Sequence, residues 1–479
     1  MKSLLIKNGL TISKNSGLVT DIIYEQIKKD LVVINPSYLS CIEHGLRPVY
    51  KNSSGKYILI PKMLNFMKEY PDRFELPAGY YKRLLELLGQ DIELEFMPCA
   101  SIEGLPDTPL NIELFDYQKS AVSSLLDNWC GILSSPAASG KTVMAIDLII
   151  KLKIKTLWLV HLDRLVKQAV KSFSIMTGCT GKDIGIVGHG TYNIGNIFTA
   201  AIIDTARKYS KKLSFEQFGL VIVDECHRTP TKKTYDVLMK LSPSYLYGLS
   251  ATPYRTDGLD KIMKYMLGQN VVEVDRDALA KKGRIVVPEV NIIYTNIFIN
   301  TSGRSLYCDF INTLTKNDFR NKMILHEVLI EVIAGNVCLV LSERVNHCKC
   351  LYDMLSQVYP HTRMVSGKTK KEKTDLVIKE FEDNNAAVLI TPYQFLGEGF
   401  DLRCLNRLFF CTPFKDSRRC EQAIGRIQRT YKHNKNKTAK LYDFVDNNRV
   451  ARIQLDSRIK VYKTLGCKIF HKKSSLLKN

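Results

Sequence analysis

The chain has 479 residues, 45% apolar and 24% charged, enough to bury cores in two or three domains. Lys and Arg number 69 against 48 Asp and Glu, and the net charge of +21 points to a polyanionic partner: nucleic acid first, an anionic membrane surface or plain solubility as alternatives. No apolar run approaches the roughly 20 residues of a membrane span, and Met1–Ile6 meets Lys7 and Asn8 too soon for a signal peptide.

Residues 1–107 mix short β-like runs, Leu31–Ile34 and Tyr57–Ile60, with a helix-like stretch, Tyr80–Leu88. This predicts a small α+β accessory domain, followed by a Pro- and Gly-containing linker, Glu103–Pro109. Over 108–283 the pattern changes. Apolar runs such as Thr156–Val160, Phe198–Ile203 and Leu220–Val223 alternate with longer amphipathic stretches. It returns over 284–455 with Val337–Leu341, Ala387–Ile390 and Arg407–Cys411. Runs without polar alternation suit strands buried on both faces of a parallel sheet, with crossover helices between them. The reading is α/β: two tandem doubly wound domains. From Ser457 onward there are seven Lys or Arg and no acid, so 456–479 is set apart as a basic tail, either gripping phosphate or solvated. The thirteen cysteines show no CxxC pairing and read as reduced core residues of a cytosolic protein. His347, Cys348 and Cys350 could be drawn as a metal site, but no second ligand pair lies nearby in sequence.

The segment Ser135–Thr142 follows the apolar Gly131–Leu133 and precedes a helix-like Val143–Ile150. That is the strand–loop–helix setting of a phosphate loop, with Ser135 where the first glycine usually stands. Ser139 and Gly140 let backbone N–H groups close on phosphates at the helix start. Lys141 would hold the β- and γ-phosphates of ATP, and the Thr142 hydroxyl would bind Mg²⁺. The run Leu220–Val223 ends in Asp224-Glu225-Cys226-His227. Asp224 would hold the Mg²⁺ and Glu225 would orient the attacking water, since phosphoryl transfer depends mainly on positioning and charge compensation.

Ser250-Ala251-Thr252-Pro253 follows. Together these segments resemble motifs II and III of the superfamily 2 DExH-type helicases. That resemblance implies two RecA-like domains. It also makes Ser250, Thr252 and His227 coupling residues between the nucleotide and the nucleic-acid track. Phe115–Gln118 resembles the Q motif, with Gln118 toward adenine. Leu159–Leu165 and Ile203–Arg207 resemble motifs Ia and Ib, with Thr205 toward the nucleic-acid backbone, though either could be scaffold taken alone. Leu341–Val345 resembles motif IV. Leu389–Pro392 with Gly397–Asp401 resembles motif V, which implies Thr391 on a phosphate, Gly399 at a close approach and Asp401 on the ribose. Glu421–Arg429 resembles motif VI. Its Gln422, Arg426 and Arg429 would act at the γ-phosphate, and the spacing of three predicts Arg426 and Arg429 on one helix face. Ser250–Gly258 and Asn317–Asn321 resemble the XPB and UvsW branch, including phage branch-migration helicases. The implied activity is ATP-dependent movement on single-stranded, forked or branched DNA in replication, recombination or repair, with residues 1–107 as a DNA-binding domain and proteins of those processes as further partners. The implied setting is cytoplasmic, in the host cytoplasm for a viral chain, without a membrane role. Alternatives are the duplex-translocating subunit of a restriction system, an RNA helicase, or a binding protein with an inactive ATPase.

Overall fold

The computed structural model describes the chain except residues 1–2, 7–8, 53–54, 90–92, 97–109, 189, 215, 217, 242, 252–256, 299–305, 398–401, 430–436 and 474–479. It divides into two compact units. One holds the residues up to Pro136 together with Gly140–Val274; the other holds Ala137–Ser139 and Asp275–Asn479. The division falls nine residues before the expected start at 284, because the helix Arg276–Lys281 goes with the second unit.

The first unit is built on an eight-stranded sheet. In spatial order its strands are Thr191–Asn193, Ile184–Gly188, Phe198–Ile202, Thr156–Val160, Leu220–Asp224, Tyr245–Ser250, Cys130–Ser134 and Asn270–Glu273. All pairings are parallel except that of the edge strand Thr191–Asn193. The strands Cys130–Ser134 and Thr156–Val160 are buried along their whole length, and Tyr245–Ser250 at all but its first residue, which is why central strands read as largely apolar runs. The helix Lys141–Leu152 turns Met144, Ala145, Leu148 and Ile149 inward at helical spacing.

The accessory residues form a five-stranded mixed sheet, ordered Lys68–Glu69, Arg73–Leu76, Leu10–Ser13, Ser3–Ile6 and Glu93–Phe96. The expected α+β layer is present, but it is not a separately packed body. Its Leu10, Phe66, Leu76 and Tyr80 share one core with Tyr235, Leu238, Met239 and Met266 of the first α/β domain. Phe66 meets Tyr235 edge to face at 5.7 Å, and Tyr80 meets Tyr265 at 4.8 Å. Gly79 lies so close to Gly268 that a Cβ on it would sit 2.0 Å from the Gly268 nitrogen. Gly268 in turn abuts Gly131 of the strand feeding the phosphate loop, 2.9 Å by the same measure. The expected linker, Glu103–Pro109, lies outside the described residues.

The second unit has a seven-stranded, wholly parallel sheet: Thr362–Met364, Val388–Pro392, Cys338–Ser342, Arg407–Phe410, Lys440–Asn447, Glu289–Phe298 and Lys468–Lys473. The expected basic tail is here corrected. Residues 456–464 complete the helix Arg449–Thr464, and Lys468–Lys473 is the edge strand beside Glu289–Phe298. Arg458 is fully buried. Its guanidinium donates two 2.8 Å bonds to Asp443 and a third to the Phe414 carbonyl, and the Tyr462 hydroxyl adds a 2.7 Å bond to Asp443. The cation is internal because its charge is paired and its N–H groups are occupied. Asn317–Asn321 is likewise scaffold. Asn317 caps the helix Asp318–Ile333, and buried Arg320 pairs with Asp446 at 2.8 Å. His347 is held between Ser342 Oγ (2.8 Å) and Asn321 Oδ1 (2.9 Å). Among the described residues no helix is long and apolar enough to cross a membrane.

Candidate active site

Three neighbouring strands of the first unit bring the expected chemistry to one edge. Tyr245–Ser250 lies between the phosphate-loop strand and Leu220–Asp224, pairing Ser134 with Ser250 and Asp224 with Leu249. Ligands of open parallel sheets bind outside these carboxyl ends.

The loop turns into its helix through Gly140, at φ 86°. The left-handed backbone favours glycine there, and a Cβ would come 2.5 Å from Gln118 Nε2 and push that side-chain end aside. Gln118 is buried, and its Oε1 accepts from the Phe115 N–H at 3.0 Å. Lys141 Nζ lies folded on its own loop, donating to the Ser135 carbonyl at 2.8 Å and the Pro136 carbonyl at 3.2 Å. These are bonds that phosphate oxygens would replace. Ser139 is buried and Thr142 opens the first helical turn.

Asp224 accepts from the Glu225 N–H at 2.9 Å. Burial, and then the adjacent Glu225 carboxylate, push the Asp224 carboxyl up to about 7. Glu225 itself sits at φ 50°, a left-handed conformation an L residue adopts only under constraint. The constraint is the short 3₁₀ turn Cys226–Arg228, which swings His227 back over the sheet. His227 Nδ1 lies 3.3 Å from Glu225 Oε2 and 3.4 Å from Ser250 Oγ. The Ser250 carbonyl accepts from the Ser135 N–H at 3.0 Å. Ser250 thus touches both the loop and the carboxylate turn. This donor set fits ATP with a divalent cation: a helix start with Lys141, and two crowded carboxylates whose repulsion a cation would relieve.

Thr205 is half-buried on the short helix Ile203–Lys208. Beside it an open groove of about 500 Å³ is lined by Lys68, Asp204, Arg207, Lys208, Asp236 and Lys240. Asp236 pairs with Arg207 (3.2 Å) and Asp204 with Lys233 (2.7 Å). The sequence reading missed Lys68 and Lys240; Lys68 comes from the accessory layer, and no local pattern announces that meeting.

Thr252, Gly399 and Asp401 lie outside the described residues. Thr391 is fully buried in its strand and its hydroxyl has no hydrogen-bond partner among the described residues, so it is not presented to a backbone phosphate in this conformation. Gln422 and Arg426 lie on the helix Ser417–Ile427. The expectation that Arg426 and Arg429 share a helix face is corrected, because the helix ends at Ile427. The Val286 N–H bonds the Gln428 carbonyl at 2.9 Å and Ile285 bridges Arg429, drawing the chain out straight. Lys437, not singled out from sequence, holds that end by donating to the carbonyls of Arg429 (2.8 Å) and Arg403 (2.9 Å).

Two family models match the chain: "Type III restriction enzyme, res subunit" over residues 111–255 and "Helicase conserved C-terminal domain" over 321–431. The chain is 25% identical over 453 residues to protein L396 of Acanthamoeba polyphaga mimivirus, provisionally named an ATP-dependent RNA helicase, covering 90% of this chain and 79% of that one. It is 25% identical over 351 residues to the ATP-dependent DNA helicase uvsW of Enterobacteria phage T4, covering 70% and 69%. Against the DNA 3'-5' translocase XPB2 of Sulfurisphaera tokodaii it is 26% identical over 393 residues, covering 75% and 87%. Among solved structures, S. cerevisiae Dbp5 bound to RNA and ADP BeF3 is similar with a TM-score of 0.53 at 14% identity, covering 78% of this chain and 92% of that one. At that identity the likeness concerns the fold, a pair of RecA-like domains.

Proposed function

We propose, from the premise that this chain belongs to the superfamily 2 helicases related to UvsW and XPB, that it is an ATP-driven DNA motor which unwinds or branch-migrates forked and junction DNA. The observation that carries the reading is the meeting of Lys141, the Asp224–Glu225 pair and the His227–Ser250 contact on adjacent strand ends. DNA is favoured by the printed names of the phage and archaeal relatives, while that of the mimivirus relative speaks for RNA.

In this reading Ser139, Gly140 and Lys141 bind the phosphates, and Gln118 reads the adenine edge. Thr142 and Asp224 would hold Mg²⁺, which supplies charge compensation to the transferring phosphoryl group. Glu225 orients the attacking water. His227 and Ser250 pass a change at Glu225 to the loop and, with Thr252, to the nucleic-acid track. Gly399 and Asp401 are assigned to the nucleotide, and Gln422, Arg426 and Arg429 to the developing charge. Thr205 holds the strand backbone beside the basic groove, and Thr391 joins it only from a conformation that uncovers its hydroxyl.

The test is steady-state ATP hydrolysis with single-stranded DNA, duplex, forks, four-way junctions and RNA, with Lys141→Ala as the blank. Greatest stimulation by forks or junctions is the expected result. Equal or greater stimulation by RNA would make it an RNA helicase, and stimulation by plain duplex alone a duplex translocase.

A further inference from the structure

From Pro36 to Asn65 no described residue is buried. Yet this stretch holds a helix, Pro36–Glu43, and a two-stranded hairpin, Val49–Lys51 with Tyr57–Leu59. Among the described residues, nine of the twenty-three exposed large apolar side chains lie between Ile34 and Met63, including Tyr57 at 68% and Leu59 at 66% exposure. A lone hairpin is marginal in water, and elements that bury nothing do not offset the entropy of ordering them. Such a surface is built to be covered.

Its charge identifies the cover. Between His44 and Lys62 stand Arg47, Lys51, Lys56 and Lys62 and no carboxylate. The register puts Lys51 opposite Tyr57 and Val49 opposite Leu59 on one face, with Tyr50 opposite Ile58 on the other. Lys51 Nζ lies 5.8 Å from the Tyr57 ring centroid. Aromatic and apolar faces interleaved with cations match nucleic acid whose bases are open. A closed duplex offers phosphates and groove edges but no base faces, so the match is to unpaired bases or a terminal pair.

The base of the segment is anchored. Val32–Ile34 pairs with Met63–Asn65. Asn35 bonds the carbonyls of Lys62 (2.9 Å) and Pro61 (3.0 Å), and Lys232 of the first α/β domain donates to the Asn65 carbonyl at 3.2 Å. A load on the hairpin is therefore passed to the unit that binds ATP.

We propose that Pro36–Asn65 is a strand-junction platform: Tyr57 and Leu59, on one face of the hairpin, pack on the unpaired bases at a duplex end, and Arg47, Lys51, Lys56 and Lys62 hold the flanking phosphates. This rests on the nucleic-acid motor reading above and adds where the duplex end sits.

The test uses the full chain with Tyr50→Ala, Tyr57→Ala and Leu59→Ser, all at exposed positions, so thermal melting stays unchanged. Binding is measured to a fork and to a blunt duplex of equal length, each in DNA and in RNA. Tyr57→Ala and Leu59→Ser are each expected to weaken fork binding roughly tenfold, and Tyr50→Ala, on the opposite face, to leave it within about twofold. Blunt-duplex binding should hold within about twofold, and single-strand-stimulated ATPase should stay, while strand separation per ATP falls. A 5-iodouracil at the junction is expected to crosslink to Tyr57. Lys51→Ala should weaken both substrates and lower the salt slope by about one. Wild-type fork binding by Tyr57→Ala and Leu59→Ser, or an equal loss on fork and blunt duplex, overturns the platform. So does loss of self-association in Tyr57→Ala with fork binding intact, which would give the surface to a protein partner. If no nucleic acid stimulates wild-type ATPase the motor reading falls, while a fork-selective loss of binding would still uphold the platform.

Discussion

Gly248 lies in the strand Tyr245–Ser250, beneath the turn that carries the carboxylates. A Cβ there would stand 2.8 Å from Cys226 Sγ, 2.9 Å from Cys226 Cβ and 2.8 Å from Leu267 Cδ1. Ordinary contacts lie between 3.4 and 4 Å, so Gly248→Ala overlaps three atoms by half an ångström or more. Leu267 can rotate away. Cys226 cannot, because its Cβ is fixed to a backbone already constrained at Glu225. The turn must lift. Overpacking of this kind costs about 1–3 kcal/mol, a few degrees of melting temperature in a unit of this size. The catalytic effect is larger, since a misplacement approaching 1 Å can cost on the order of 100-fold. The assay is nucleic-acid-stimulated ATP turnover with thermal melting, beside Cys226→Ala and the double variant, in which loss of Sγ restores part of the turnover. Turnover within about twofold of wild type in Gly248→Ala, whatever the melting temperature does, would refute the claim that this close approach sets the position of Glu225.

Glu225→Gly should abolish turnover while leaving stability equal or up to about 1 kcal/mol higher, because glycine relieves the left-handed backbone; chemical denaturation reads this, and a loss beyond 1 kcal/mol removes the strain argument. Arg458→Ala leaves Asp443 buried without its cation and should cost about 3–5 kcal/mol, whereas a solvated-tail residue would cost almost nothing; melting of the two variants Arg458→Ala and Lys460→Ala separates the cases. Burial, and then Arg320, lower His347 to about 3. Its unfolded value is near 6.5, so the neutral form is favoured in the fold. The stability it contributes is whole above pH 6.5 and is lost as pH falls toward 3, about 2 kcal/mol by pH 5. Urea midpoints at pH 7 and pH 5 should therefore converge in His347→Gln, and an undiminished difference would exclude this histidine as the source.

Much of the fold, and the place of the candidate site on it, was legible in advance. A strand buried on both faces has to be apolar throughout, so Thr156–Val160 and Leu220–Asp224 announce themselves, and the chemistry follows at their ends because parallel sheets present ligands there. Local sequence also marks the loop at Gly140-Lys141-Thr142, where backbone and side chain both act over a few residues. Tertiary structure decided what depends on partners distant in sequence. Arg429 leaves its helix because Val286 and Ile285 supply main-chain partners that a helical face pattern does not contain. Residues 456–473 look like a solvated basic end because charge is visible in sequence while Asp443, which makes a buried Arg458 tolerable, is not visibly its neighbour. The accessory layer merges with the first α/β domain because Gly79, Gly268 and Gly131 allow backbones to touch, an effect of missing side chains that composition does not reveal. Elements and chemistry along a single strand, loop or helix were set by the sequence itself; pairing, burial of charge and close approach were set by which distant residues the fold brings together.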